Sequence, residues 1–200
     1  MPLLPLFPLG TVLFPGSTLP LHIFEPRYVQ LISECLSGGS TFGVVLILEG
    51  EEVGSPAIPH RVGTEAAIVE ARGLPQGRYD IAVHGQRRFE IKGLRHERPY
   101  TVAEVEWLPR GGGGSQEAVE VARALMEEFL RRLRGPLPGG IKGLAALDDE
   151  GLSFVIADLL PVEPDLKQEL LEAPTPALRL DLETRILMEA LRPEGLGAMG

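Results

Sequence analysis

The chain has a single cysteine, Cys35, among 200 residues, which excludes an intramolecular disulfide and suits a reducing compartment. Lysine is nearly as scarce, occurring only at Lys92, Lys142 and Lys167, so arginine carries most of the positive charge. From Met1 to Phe24 there is no Asp, Glu, Lys or Arg at all. A stretch of that length permits a membrane span. Pro2, Pro5, Pro8, Pro15 and Pro20 argue against one, because each internal proline removes a helical hydrogen bond and clashes with the preceding turn, at about 3 kcal/mol. No basic residue precedes the apolar stretch, so a secretory signal is not expected either. The expected setting is the cytoplasm, with no membrane partner. The net charge of -9 repels phosphate backbones, and nucleic acid is an unfavoured partner unless a local basic patch overcomes that field.

The motifs of common chemistries are also missing. No glycine is followed directly by lysine, so there is no G-x-x-x-x-G-K-[ST] loop to cradle a nucleotide. A nucleophile elbow needs glycine on both sides of its serine; Ser115 and Ser153 have one only before them, and read better as a helix cap and an ordinary helical residue. Ser-Lys catalysis needs a desolvated lysine, whereas Lys167 suits a polar helix face and Lys92 and Lys142 sit beside glycines in expected turns. His22, His60, His84 and His96 are scattered, and Cys35 has no partner at metal-binding spacing. The acidic runs Glu49, Glu51, Glu52 and Asp148, Asp149, Glu150 lack the ligand alternation of a calcium loop and read as solvated turns. No catalytic, cofactor-binding or metal-ligating residue is expected, and no cofactor.

Hydrophobic residues make up 44% of the chain and charged residues 24%, ordinary values for a globular protein. The run Gly111 to Gly114 marks a boundary, giving a β-rich part over 1–110, a glycine-rich linker over 111–115 and a helical part over 116–200. Leu3 to Leu9, Thr11 to Phe14 and Ser17 to Ile23 read as edge strands, since prolines hold them extended. Pro26 suits the first position of a helix whose apolar face is Tyr28, Leu31, Ile32, Cys35 and Leu36, ending at Gly38 and Gly39. Thr41 to Leu48 is a buried strand with Gly43 as a possible bulge. A hairpin over 66–92 turns at Leu74-Pro75-Gln76-Gly77. Strict alternation places Tyr79, Ile81, Val83, Phe89 and Ile91 on one side, with Gly85 bending the ladder. A last strand from Tyr100 to Leu108 sets Ala103, Val105 and Trp107 on one face. Beyond the glycines, Ala118, Ala122, Leu125, Met126, Phe129 and Leu133 form an apolar helical stripe, closed by Arg131, Arg132 and Arg134 at its C-terminus. Helices follow over Leu152 to Leu160, from Pro164 to Ala173, and from Thr175 and Pro176 to Leu191. The fold class is α+β: a partly closed β-barrel with one inserted helix, then an α-helical bundle.

Three stretches carry a family resemblance. They are LPLFPLGTVLFPGSTLPLHIFEPRY near the start, VGTEAAIVEARGLPQGRYDIAVHGQRRFEI with its Leu-Pro-x-Gly turn and Gly-x-x-Arg, and ADLLPVEPDLKQELLEAPTPALRLDLETRILMEAL with its Lys-Gln-x-Leu-Leu-Glu element. In this order and spacing the chain resembles the N-terminal substrate-binding domain of the ATP-dependent Lon proteases, as a free-standing protein lacking the ATPase and protease domains. The resemblance implies a PUA-like barrel and a non-catalytic polypeptide-binding module acting as an adaptor or regulator in protein quality control. Its implied partners are unfolded or degron-bearing polypeptides and a separate ATP-dependent protease. The alternative is RNA binding through the PUA-like barrel, for which Arg87 and Arg88 are the basic pair. Candidate polypeptide-contacting residues are Phe7, Phe14, Phe24, Tyr79 and Arg87. Burial in the core is the competing role of each aromatic. Arg87 competes as half of a buried pair or as the sign of a bulge.

Overall fold

Prolines, short apolar runs and one glycine-poor amphipathic segment dictate the first half of the molecule. In a computed structural model, residues 1–54, 57–111, 116–133 and 147–192 are described; Ser115, Arg134, Lys142 and most of the glycine run lie outside them. The chain divides into two compact units, Met1–Pro109 and Arg110–Gly200. Among the described residues no helix is long and apolar enough to cross a membrane.

The first unit contains β1 (Leu3–Leu9), β2 (Thr18–Ile23), α1 (Pro26–Gly38), β3 (Phe42–Glu49), β4 (Ile58–Gly73), β5 (Tyr79–Arg95) and β6 (Val102–Trp107). They form one mixed sheet in the order β2-β5-β4-β3-β1-β6, and β6 also pairs with the far half of β5. The sheet therefore curls into a partly closed barrel rather than a regular one. Only β2 fits the edge reading given to the proline-rich opening, for it pairs with β5 alone. β1 is interior, between β6 and β3. It tolerates proline because it pairs on one side at a time, with β6 through Leu3 to Pro5 and with β3 through Leu6 to Leu9. Each proline can then turn its missing donor towards the unpaired side. Thr11 to Phe14 forms no strand, although Val12, Leu13 and Phe14 are buried.

Alternation across Gly85 fails as a guide. Thr64 faces Arg88 and Ala66 faces Gly85, so Gln86 and Arg87 together oppose the single residue Glu65. That bulge inverts the strand's faces. Ile81 and Val83 join a core with Leu31, Ile32 and Cys35 of α1. Phe89 and Ile91 join a second core with Leu4, Leu6, Ala103 and Val105. Gly43 is not a bulge; the irregular pairing of β3 lies between Val45 and Glu49. A Cβ there would stand 2.6 Å from Phe89 Cζ, and one on Gly63 would stand 2.7 Å from it. Both glycines make room for that ring. At the hairpin turn Gln76 joins Gly77 in positive φ, at 66° and 73°.

The second unit contains α2 (Gln116–Leu133), α3 (Asp149–Leu159), α4 (Pro164–Glu172) and α5 (Pro176–Ala190), with α5 packed against the other three. The buried stripe of α2 starts at Val119, with Ala118 exposed. Asp148 and Glu150 are not simply solvated. Asp148 caps α3 by accepting from Gly151 N at 2.8 Å, and the buried Glu150 holds Arg110 at 2.8 Å. Ser153 and Arg179 are fully buried, and Arg179 Nη1 donates to Ser153 Oγ at 2.7 Å. Glu183, one turn along α5, is also fully buried, and among the described residues neither of its carboxyl oxygens has a hydrogen-bond partner. Burial pushes its pKa up to about 9, against the smaller opposing pull of Arg179.

Two outcomes follow from these contacts. A Cβ at Gly63 would meet Val45 Cγ1 at 2.4 Å and the Val44 carbonyl at 2.6 Å, whereas one at Gly73 meets nothing within 4 Å. Gly63→Ala is expected to cost about 3 kcal/mol in denaturant titration through overpacking, and Gly73→Ala to cost less than about 1 kcal/mol. Glu183 keeps its proton when folded and releases it near the ordinary carboxylate range when unfolded. Raising the pH from 5 to 7 therefore removes about 3 kcal/mol of stability through this group. Glu183→Gln is expected to flatten that slope and to raise stability at pH 7, read by denaturation at both pH values.

Candidate functional site

Where β2 ends, the chain turns sharply into α1. Glu25 is extended, with ψ 133°, and Pro26 starts the helix, its ring fixing the φ that the first turn needs. This corner leaves a groove of about 170 Å³ between β2, the start of α1 and the loop that follows β3. Buried Phe7, Leu9, Ile23 and Tyr28 form its base, and Phe24 and Val53 stand at its rim, 50% and 54% exposed. The Phe7 and Tyr28 rings meet with centroids 4.2 Å apart and planes inclined by 30°. Phe24 is propped by His22, whose ring lies 6.0 Å away and inclined by 25°. His22 in turn meets Asp80 across the β2–β5 ladder at 2.6 Å.

The loop after β3 is fastened to the helix start by polar contacts. Gly54 N donates to Glu25 Oε2 at 3.3 Å, and Arg27 Nη2 donates to the Glu52 carbonyl at 3.3 Å. Arg27 also pairs with Glu25 at 3.1 Å, and the Glu52 carboxylate accepts from Gly10 N. Glu25 and Glu52 give the groove an acidic margin. Burial raises the pKa of Tyr28, so its hydroxyl stays protonated at neutral pH.

Of the residues singled out from sequence, Phe7 and Phe24 meet here, one in the base and one on the rim. Phe14 is fully buried elsewhere. Tyr79 begins β5, paired with Ile23 and Gly73, and packs against the α1-side core without lining the groove. Arg87 lies on the bulge, bonded to Glu65 at 2.7 Å with its guanidinium 3.6 Å from the Trp107 ring centroid. Leu9, Leu21, Ile23, Tyr28 and Val53 also line the groove and are not among those candidates. Tyr28 reads as plain helix core, but Val53 carries a signal: a lone valine inside the acidic, glycine-bounded stretch Glu49 to Gly54.

The groove is built for adhesion. It is smaller than the roughly 300–1,000 Å³ of typical small-molecule sites and suits one large apolar side chain. Strand addition on β2 is disfavoured, because Pro20 deprives the free edge of a donor. Cys35 is buried with its pKa raised, first by desolvation, which disfavours the nucleophilic thiolate. Among the described residues no group of three His, Cys, Asp or Glu is placed to hold a metal ion. Lys92 lies in β5, not in a turn, bonded to Glu90 at 2.7 Å and Glu106 at 3.0 Å.

The family model for the ATP-dependent protease La (LON) substrate-binding domain matches residues 3–189. A Lon protease of Flavobacterium johnsoniae is 36% identical over 105 residues, 52% of this chain and 13% of that protein. One of Roseiflexus castenholzii is 32% identical over 169 residues, 83% of this chain and 21% of that protein. The chain thus spans about a fifth or less of these relatives. Among solved structures, the Lon N-terminal domain protein from Xanthomonas campestris is 30% identical with TM-score 0.71, covering 90% of this chain and 96% of that one. The N-terminal domain of Mycobacterium avium complex Lon protease reaches TM-score 0.78 at 17% identity, over 95% and 100% of the two chains, a likeness of fold.

Glu52→Ala cuts the tie to Gly10 while leaving the apolar base intact. Amide exchange at Gly10 and across Gly50 to Gly54 is expected to quicken by about tenfold or more, with global stability reduced by less than about 1 kcal/mol.

Proposed function

Because the chain belongs to the Lon substrate-binding domain family, we propose that it recognises polypeptide substrates by seating one large apolar side chain in the groove beside Phe24. The observation behind this reading is the half-exposed Phe24 and Val53 above an apolar base closed by Phe7 and Tyr28. Exposed aromatic surface around a concave apolar base is the usual form of an anchor site. Unfolded or degron-bearing chains expose such side chains, whereas folded ones bury them. In this reading residues 3–189 adhere to a client as an adaptor or regulator in protein quality control, in the cytoplasm, and a separate ATP-dependent protease supplies the work. No nucleotide or peptide turnover is assigned to them. The arginines that motivated RNA binding are engaged within the fold: Arg87 is held by Glu65 and Trp107, and Arg88 is buried.

Fluorescence anisotropy with labelled, unstructured peptides carrying a single Phe or Leu tests the reading. Phe24→Ala is expected to weaken binding about tenfold, the equivalent of about 1.4 kcal/mol, with little change in melting temperature because Phe24 is exposed. Absence of binding to any apolar peptide, or equal binding by the variant, overturns it.

A further inference from the structure

Tyr28 also borders a second cavity, of about 130 Å³, with a different character. Arg27 and Tyr28 of α1 line it together with His96, Arg98 and Tyr100 from the β5–β6 connection. Its two guanidinium groups are only partly used. Arg98 engages Glu34 at 2.5 Å and the Tyr100 hydroxyl at 2.8 Å, both through Nη1. Its Nε and Nη2 make no hydrogen bond among the described residues. Arg27 engages Glu25 and the Glu52 carbonyl, both through Nη2, while its Nε is buried without an acceptor among the described residues. A buried donor left without an acceptor costs about 1–3 kcal/mol, which favours an acceptor that reaches it. His96, exposed on the rim, has no hydrogen-bond partner among the described residues.

Unused donors from two arginines and a histidine around one small cavity call for an oxyanion. The cavity is small and has room for a carboxylate or a phosphate. Glu25 and Glu34 neutralise much of the arginine charge. That balance favours a singly charged oxyanion, such as a carboxylate or dihydrogen phosphate. Tyr28 also lines the apolar groove, so one residue borders both cavities. The last residue of a polypeptide carries its side chain and its free carboxylate on one Cα, and adjoining cavities of these two characters can take one each.

We propose that the Arg27–His96–Arg98 cavity binds the C-terminal carboxylate of a client polypeptide whose last side chain occupies the neighbouring groove. This rests on the polypeptide-binding reading above and adds chain-end selection to it. Charge-assisted bonds to a carboxylate are the strong kind, and a chain end supplies one that internal segments lack.

The test uses the full chain and two labelled peptides of one sequence ending in Phe, one with a free carboxylate and one amidated, with inorganic phosphate as competitor. The free acid is expected to bind about tenfold more tightly than the amide. Phosphate should displace the acid and leave the amide bound. His96→Ala, which removes no hydrogen bond among the described residues, and Arg27→Lys, which keeps the charge but loses Nε, should each shrink the preference for the acid. Arg98→Gln should abolish it, with a thermal melt confirming that the variant is folded. Equal binding of acid and amide, both weakened by Phe24→Ala, overturns chain-end selection and leaves the groove reading standing. A preference that survives all three cavity variants, or phosphate that displaces neither peptide, overturns the assignment to this cavity. Binding of neither peptide sinks the groove reading, and chain-end selection with it.

Discussion

The β-rich unit depends on a change of face within one strand. β5 runs for 17 residues, longer than one flat face of a small sheet can use. Its first half turns Ile81 and Val83 towards α1, and its second half turns Phe89 and Ile91 into the opposite core. The inversion is made by Gln86 and Arg87 standing opposite Glu65, and it is pinned. Buried Glu65 accepts from Thr41 Oγ1 and Arg87 Nε, both at 2.7 Å, while Arg87 covers Trp107. Next to the bulge, Gly85 exchanges backbone bonds with Gly16 and Ser17 at 2.8 and 2.9 Å. A Cβ there would stand 2.2 Å from the Phe14 carbonyl, so only glycine lets the segment after β1 approach so closely.

The groove is a consequence of that arrangement. Once β5 has turned, its far half can pair with β6, and β6 in turn pairs with the start of β1. β1 is thereby fixed in the sheet with Phe7 and Leu9 facing the α1 side. Tyr28 descends from α1 onto Phe7, and the loop after β3 is drawn in by Glu25, Arg27 and Gly10. An apolar base is thus held by hydrogen-bonded ladders, while its rim is built from a turn and a loop. That division suits recognition: a rigid base sets the size of side chain accepted, and a loop tied by bonds of 3.3 Å can adjust to it.

Much of this was legible in the sequence where the controlling interaction is local. Pro26, Pro164 and Pro176 each open the helix expected of them, and Ala103, Val105 and Trp107 share one face as alternation requires. The failures are non-local. The bulge in β5 cannot be placed by counting along one strand, because its register is defined by Glu65 on another. Gly43 reads as irregular backbone in isolation, whereas its reason is a ring carried by Phe89. Phe14 and Phe24 sit in similar proline-bounded, apolar surroundings, and only the path of the chain separates a fully buried ring from a half-exposed one. Phe7 and Phe24 could be named as candidates, but Tyr28 and Val53 could not be joined to them without the fold.

The helical unit shows a different way of specifying a core. Its largest fully buried side chain among the described residues is Arg179, an expensive choice where leucine or methionine would pack more cheaply. The expense is offset by geometry that an apolar residue cannot reproduce. Nε and Nη2 donate to the carbonyls of Leu170 and Ala173 at 2.7 and 3.0 Å, at the C-terminal end of α4, where the helix dipole favours a cation. Nη1 reaches Ser153 on α3, and the guanidinium lies 4.0 Å from the Phe154 ring centroid. One side chain on α5 thus satisfies orphan groups at the end of α4 and fixes α3 beside them, contacts with directions that a sliding apolar interface lacks. With the cation held by carbonyls, a hydroxyl and a ring, Glu183 need not ionise to balance it. Its neutral carboxyl, unbonded among the described residues, fits an arginine that is already accommodated, and the loss of stability that this group brings as pH rises comes from that surplus acid rather than from a broken ion pair.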